Sequence, residues 1–212
     1  MQKQNFLGML CMLLLVALPA SALAAINPAA RTPVQARTAF TRSVQAFRQL
    51  PRPWSPSAIA IALKRADTFS IGHHGPQLTA FMDPNCIWCH RFYEKALPLI
   101  HAGKLRLRVV LVGFLKPSSV AKAEAVLMAK HPAQAMANEE SHFNVITEEG
   151  GIHPAVNAPA SIRRAVHRNT QLLIRTGAEA TPTLLYRTRQ KQWVIQHGLA
   201  AHGLQKIMAT IS

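Results

Sequence analysis

Two cysteines three positions apart, set between an apolar run and a helix-patterned run, restrict this chain more than any other feature. Leu78–Met82 reads as a short strand, Asp83-Pro84-Asn85 stops it, and Ile87–Ile100 carries a helical pattern that ends near Gly103. Cys86-Ile87-Trp88-Cys89-His90 therefore opens a helix directly after a strand. A cysteine in the first helical turn points its sulfur at unpaired backbone N–H groups and the positive end of the helix dipole, and both favour the thiolate. Cys86 is thus the candidate nucleophile. Cys89 lies on the same face one turn deeper, where it can attack a mixed disulfide on Cys86 and resolve it. His90 and Arg91 add positive charge nearby. The residues describe a dithiol/disulfide redox centre.

The compartment follows from the amino-terminal residues. Lys3 supplies a short positive region, Phe6–Leu18 an apolar run, and Ala22-Leu23-Ala24 the small residues of a cleavage site. The run is too short for a spanning helix of roughly 20 apolar residues. Leu10 before Cys11 argues against a lipoprotein. The expectation is a signal peptide over 1–24, cleaved after about Ala24, and a periplasmic protein. Cleavage also removes Cys11, so Cys86 and Cys89 are the only cysteines of the mature chain, and 23 basic against 9 acidic residues leave a balance of +14. A disulfide-dense scaffold and a multi-zinc architecture are excluded by that cysteine count.

Residues 25–76 read as a helical arm and linker: a helix over Val34–Leu50, a stiff Pro51–Pro56 linker, then a short helix over Ala58–Ala66 capped by Ser57, and a turn at Ile71–Pro76. From residue 77 the order is strand, helix, strand, helical block, strand, strand, helix. Leu105–Leu111 alternates as a strand whose first half has one wet face. Ser118/Ser119 start a helix through Lys130 that His131-Pro132 stops, and Ile162–Thr176 forms another, closed by Gly177. Thr183–Arg187 and Trp193–Gln196 pair as a hairpin before a terminal helix over Leu199–Ile211. This is an α/β domain over 77–212 with a helical insertion at about 118–177, preceded by a short helical arm.

Three rivals compete for the cysteine pair. A structural disulfide is one, although closing so short a loop constrains the unfolded chain very little. Zinc held by Cys86, Cys89, His73 and His74 is another, without a second CxxC to support it. Haem is the strongest, because Cys86–His90 also matches C-x-x-C-H, with Met128, Met136 or Met208 as a distal ligand. The strands on both sides of the motif stand against it. At this point haem remains open.

Ala180-Thr181-Pro182-Thr183 stands just before the strand hairpin, where a thioredoxin-like fold places a cis-proline loop beside its CxxC. Thr181 would there present backbone groups to a substrate strand. Phe81–Cys89, Gly103–Arg108, Leu111-Val112-Gly113, Lys116-Pro117 and Ala129–Ala133 then resemble the catalytic domain of the DsbC/DsbG-type periplasmic thiol:disulfide interchange proteins, more on the DsbG side, over roughly 78–212. The resemblance implies a thioredoxin-like fold, Cys86 as nucleophile, Cys89 as resolving cysteine, and Thr181, Pro182, Ile87 and Trp88 as the client-contacting surface. It implies no cofactor and no metal. Its implied partners are client proteins with disulfides or oxidised cysteines and a membrane thiol reductant of the DsbD type.

The chain departs from that family in its Ile87-Trp88 dipeptide, which helps set redox potential, and in the segment before Leu78, which resembles a linker helix without the family's dimerisation domain. Nothing in the residues chooses between monomer and dimer. Ala80 occupies the position where thioredoxins place a buried carboxylate, so Cys89 must lose its proton to water or another group, with His90 a candidate. The positive charge is spread along amphipathic helices and only 6% of residues are aromatic, so no nucleic-acid partner is assigned. The competing reading from another class is a redox-inert chaperone or accessory module of a secretion or conjugation apparatus, using the apolar surface around Trp88.

Overall fold

The run Gln77-Leu78-Thr79-Ala80-Phe81-Met82 alternates between two apolar faces, so a strand made of it is covered on both sides. In the computed structural model, which describes residues 51–212, this run is strand β2 (Gln77–Met82), at the centre of a five-stranded sheet. The leader expected over 1–24 and the helix expected over 34–50 lie outside the described residues. Strand β1 (Phe69–Ile71) forms one edge, followed by β3 (Arg106–Leu111), β2, β4 (Thr183–Arg187) and β5 (Trp193–His197), in the order β1-β3-β2-β4-β5. Only β2 and β3 are parallel; the other neighbours are antiparallel.

The alternation divides the core. Leu78, Ala80 and Met82 join Leu107, Val109 and Leu111 on one face, while Phe81, Val110 and Leu185 point to the other. Helix α2 (Ile87–His101) crosses from β2 to β3 and buries Cys89, Phe92, Ala96 and Ile100 against the first face. Helix α1 (Pro56–Ala62) and the 3₁₀ turn Leu63–Arg65 bring Ile59 and Leu63 to the second, where they meet Leu172 and Leu173 of α5 (Ala160–Ile174). Helices α3 (Ser119–Met128), α4 (Pro132–Ser141) and α6 (Gly203–Thr210) complete the first layer with Ala123, Val126, Met136 and Ile207. Truncating a fully buried ring such as Phe92 to alanine removes about 3–5 kcal/mol.

Several boundaries differ from the sequence expectation, each for a local reason. The sheet starts before residue 77, because Phe69–Ile71 pairs with Leu107–Val109 and takes residues from the presumed linker. Ser55, not Ser57, caps the helix before it: its hydroxyl accepts from the Ala58 N–H, and Pro56 occupies the first helical position, where a missing N–H is harmless. The same tolerance explains α4. Helix α3 ends at Met128, two residues short of the expected Lys130, and Pro132 itself starts a second helix within the expected helical insertion. The terminal helix begins at Gly203 rather than Leu199, after His202 in the left-handed region at φ 58°. The wet face of β3 is also largely covered, since the Arg108 guanidinium donates to Thr68 Oγ1 and to the Leu63 carbonyl. Among the described residues no helix is long and apolar enough to cross a membrane.

Candidate active site

Because β4 runs antiparallel to β2, with Thr183 opposite Phe81, the residues just before β4 lie beside those just after β2. That register brings Thr181-Pro182 to Cys86 across 95 positions of sequence. The Thr181–Pro182 peptide bond is cis. The Thr181 carbonyl accepts from Cys86 Sγ at 3.4 Å. Pro182 is held in turn by the Gly198 N–H, 2.8 Å from its carbonyl oxygen.

Cys86 is the N-cap of α2, and its sulfur does what a serine or aspartate oxygen does at that position: it accepts the Cys89 N–H, at 3.3 Å. Both thiols are free, Cys86 4% exposed and Cys89 1%. Contact with Cys89 holds the Cys86 thiol down at about 7, aided by Thr181 and the backbone N–H groups and opposed by burial. Cys89 moves the other way. Burial pushes it well above the usual thiol range, and the neighbouring Cys86 sulfur adds to the shift. One sulfur is ready to ionise and the other is kept protonated. Beside them Ile87 is half-buried, and Trp88 is exposed with the Arg91 guanidinium 4.9 Å from its ring centre.

The turn carrying the cysteines is fixed from below. Asp83, 1% exposed, accepts from the Asn85 N–H and Ser119 Oγ on one oxygen and from the Phe114 and Leu115 N–H groups on the other. Asn85 donates to Ser118 Oγ and Ser119 Oγ and accepts from the Gly150 N–H. These bonds tie the turn to the loop after β3, the start of α3 and the loop after α4.

His90 is not the solvated histidine its position suggests. Its ring stacks on Phe143 at 4.5 Å between centroids, and Nδ1 lies 2.8 Å from Glu140 Oε2. Burial first, then the neighbouring Glu139, Cys86 and Glu94, push the Glu140 carboxyl well above the usual range.

The rival ligand sets do not assemble. His73 and His74 precede β2 while the cysteines follow it, so the six-residue strand, roughly 20 Å long, separates them. For haem, both ring nitrogens of His90 face carboxylates, Glu140 and Glu94, and the cysteine sulfurs are packed beneath Thr181. Among the described residues no group of three or more His, Cys, Asp or Glu is placed to hold a metal ion.

No protein-family model matches the chain. Over 118 residues it is 35% identical to the thiol:disulfide interchange protein DsbG of Pseudomonas aeruginosa, a match covering 56% of this chain and 44% of that protein. Over 114 residues it is 32% identical to DsbG of Escherichia coli, covering 52% and 43%. The chain thus spans less than half the length of these relatives. Among solved structures it resembles Proteus mirabilis ScsC in a compact conformation, with a TM-score of 0.58 and 16% identity over 84% of this chain and 89% of that one. A periplasmic thioredoxin-like protein from Salmonella enterica serovar Typhimurium superposes with a TM-score of 0.54 and 19% identity over 71% and 93% of the two chains.

The fold is thioredoxin-like. The DsbG resemblance read from the sequence is carried by the two curated matches. Within this thioredoxin-like frame Ala80 is fully buried on β2 and brings no acid to the dithiol; besides Asp83 in the turn itself, the buried acids Glu139 and Glu140 come from α4. The sequence reading missed both, and missed Asp83 as a ligand of backbone N–H groups. The signal in the sequence was weak: of only nine acidic residues four stand in adjacent pairs, Glu139-Glu140 and Glu148-Glu149, and adjacency does not say which pair is buried.

Proposed function

We propose that this chain is an exported thiol:disulfide oxidoreductase that reduces or isomerises disulfides, or reduces sulfenylated cysteines, in client proteins. The observation that carries the reading is the opposed pair of thiols: Cys86 held at about 7 and Cys89 held protonated behind it. The Cys86 thiolate attacks one sulfur of a client disulfide, forming a Cys86–client bond and releasing the other client sulfur as a thiolate. Cys89 then gives up its proton and attacks Cys86 Sγ. The client leaves with its second sulfur reduced, and the two electrons it gained remain accounted for by a Cys86–Cys89 disulfide. With a sulfenic acid, the same first attack expels the oxygen as water once protonated. If a client thiol attacks the mixed disulfide before Cys89 does, the outcome is isomerisation. A DsbD-type membrane reductant returns the pair to the dithiol.

Ile87, Trp88 and the Thr181-Pro182 loop border the sulfur and are assigned client contact. The leader over 1–24 and the relatives' interchange activity support a periplasmic setting. The deciding experiment replaces Cys89 by Ala in the native host. The variant should accumulate client–Cys86 mixed disulfides that dissolve on reduction, and the wild-type pair should be found mostly reduced in acid-quenched cells. Absence of any trapped client, with undiminished client binding by a Cys86→Ala, Cys89→Ala double variant, would favour the redox-inert chaperone instead.

A further inference from the structure

His90 follows Cys86 by four residues, so the two side chains share one face of α2 a single turn apart. The His90 N–H also donates to the Cys86 carbonyl at 3.0 Å. The imidazole is fixed on three sides: Phe143 against its plane, Glu140 on Nδ1, and Glu94 3.7 Å from Nε2. Glu140 is 6% exposed, and His90 is its only ion-pair partner among the described residues. Both side chains line a cavity of about 560 Å³ between α2 and α4, shared with Tyr93, Glu94, His101 and Phe143. A buried acid without a lysine or arginine, one hydrogen bond from a histidine beside a nucleophile, is a costly arrangement for a purely structural contact.

We propose that Glu140 is a positioning residue for the dithiol, which acts through its hydrogen bond to His90 and couples ionisation of the Cys86 thiol to that of a buried carboxyl. The two ionised forms carry like charge, so each ionisation discourages the other. While Cys86 is a thiolate, the His90–Glu140 pair retains its proton. When the thiolate is consumed in a mixed disulfide the negative charge leaves Sγ, Glu140 ionises more readily, and its proton passes to water in the cavity. This last consequence rests on the proposed exchange reaction; the coupling itself does not.

The remaining groups facing the pair are few. From α2 come Tyr93, Glu94 and His101, and from α4 the adjacent Glu139. Lys122 of α3 and the buried Asp83 of the turn before α2 act on Glu139, and β1 contributes Ile71, which carries no charge. Burial, then Glu140, raises Tyr93.

The test is a pH titration of thiolate absorbance in the reduced full-length protein. Wild type should titrate over a broader range than one proton allows. Glu140→Gln should give a single step with its midpoint at lower pH, raising the thiolate fraction at pH 6 about threefold, the effect of half a pH unit. The Glu140→Gln effect should shrink in a His90→Gln background. A Glu140→Gln curve that superimposes on wild type overturns the coupling. Should Glu140→Gln fail to fold, the wild-type curve itself decides: a thiolate titration that a single proton fits overturns the proposal. Exchange with a small disulfide is followed on the same samples. An inert wild type removes the proposed function, whereas an active wild type with an unmoved Glu140→Gln titration removes this inference alone.

Discussion

At Cys86 one sulfur serves as helix cap and as candidate nucleophile, and the two roles reinforce each other. The N–H that the sulfur accepts is one the helix would otherwise leave unpaired, so ionising the thiol strengthens the cap. Alkylation of the reduced protein by iodoacetamide should therefore rise with pH through a midpoint near 7 at Cys86, while Cys89 stays unmodified until the fold is opened. Peptide mapping of the alkylated protein reads both. A Cys86 midpoint near the ordinary thiol value of 9 would contradict it. The cysteines and Thr181 were legible because each announces itself locally, as a CxxC after a strand and as an X-Pro before one. Glu140 was not, since its importance lies in the packing of α4 against α2 and no spacing in the chain encodes that. Asp83 was read as a strand breaker, which it is; the four bonds that occupy its carboxylate come from residues 85 to 119 and become visible only when the loops are folded.

The elements around the site are joined by close approaches that tolerate little change. Gly113 lies so near the start of α3 that a Cβ would stand 2.6 Å from Val120 Cα and 2.7 Å from its nitrogen. Gly113→Ala should cost about 1–3 kcal/mol, the range for overpacking, seen as a lower urea midpoint with an unchanged slope. Helix α4 and the loop after it are held by Glu139, fully buried, which accepts from the Ile152 N–H at 2.6 Å while its other oxygen has no partner. Lys122 donates to the Gly150 carbonyl beside it. Burial pushes Glu139 up to about 7. The folded state thus holds this proton more tightly than the unfolded chain, where the group titrates near 4.5. Stability should fall as pH rises between about 4.5 and 7, by on the order of 3 kcal/mol from this residue, and level off above. Glu140 acts in the same direction. Melting temperatures from pH 5 to 8 should show the decline in wild type and a shallower one in Glu139→Gln; equal slopes would refute the assignment. Pro132 shows why α4 was not read from sequence: proline ends a helix that precedes it and suits the first turn of one that follows, and the residues alone do not say which applies.

Over the whole molecule the formal charge is +15, with 24 basic and 9 acidic residues. Under the proposed function, attraction of acidic clients by such a field is screened by salt. Exchange with an acidic disulfide peptide should slow several-fold between about 20 mM and about 500 mM NaCl, as the Debye length falls from about 20 Å to about 4 Å. An uncharged disulfide of the same size should react at a nearly constant rate, and equal salt dependence for both would rule out steering. Sheet order was only partly legible. The β2–α2–β3 unit and the β4–β5 hairpin follow from neighbouring patterns, whereas β1 is three residues long and too short to register as a period. The order β1-β3-β2-β4-β5 also has a history built into it. A chain is made from its amino end, and β2 receives its second neighbour only when β4 appears, about 100 residues later. Until then the central strand has an open edge, and Cys86 stands without the Thr181 carbonyl against its sulfur. The Cys86 thiol is among the first parts of this unit to be synthesised and among the last to be finished.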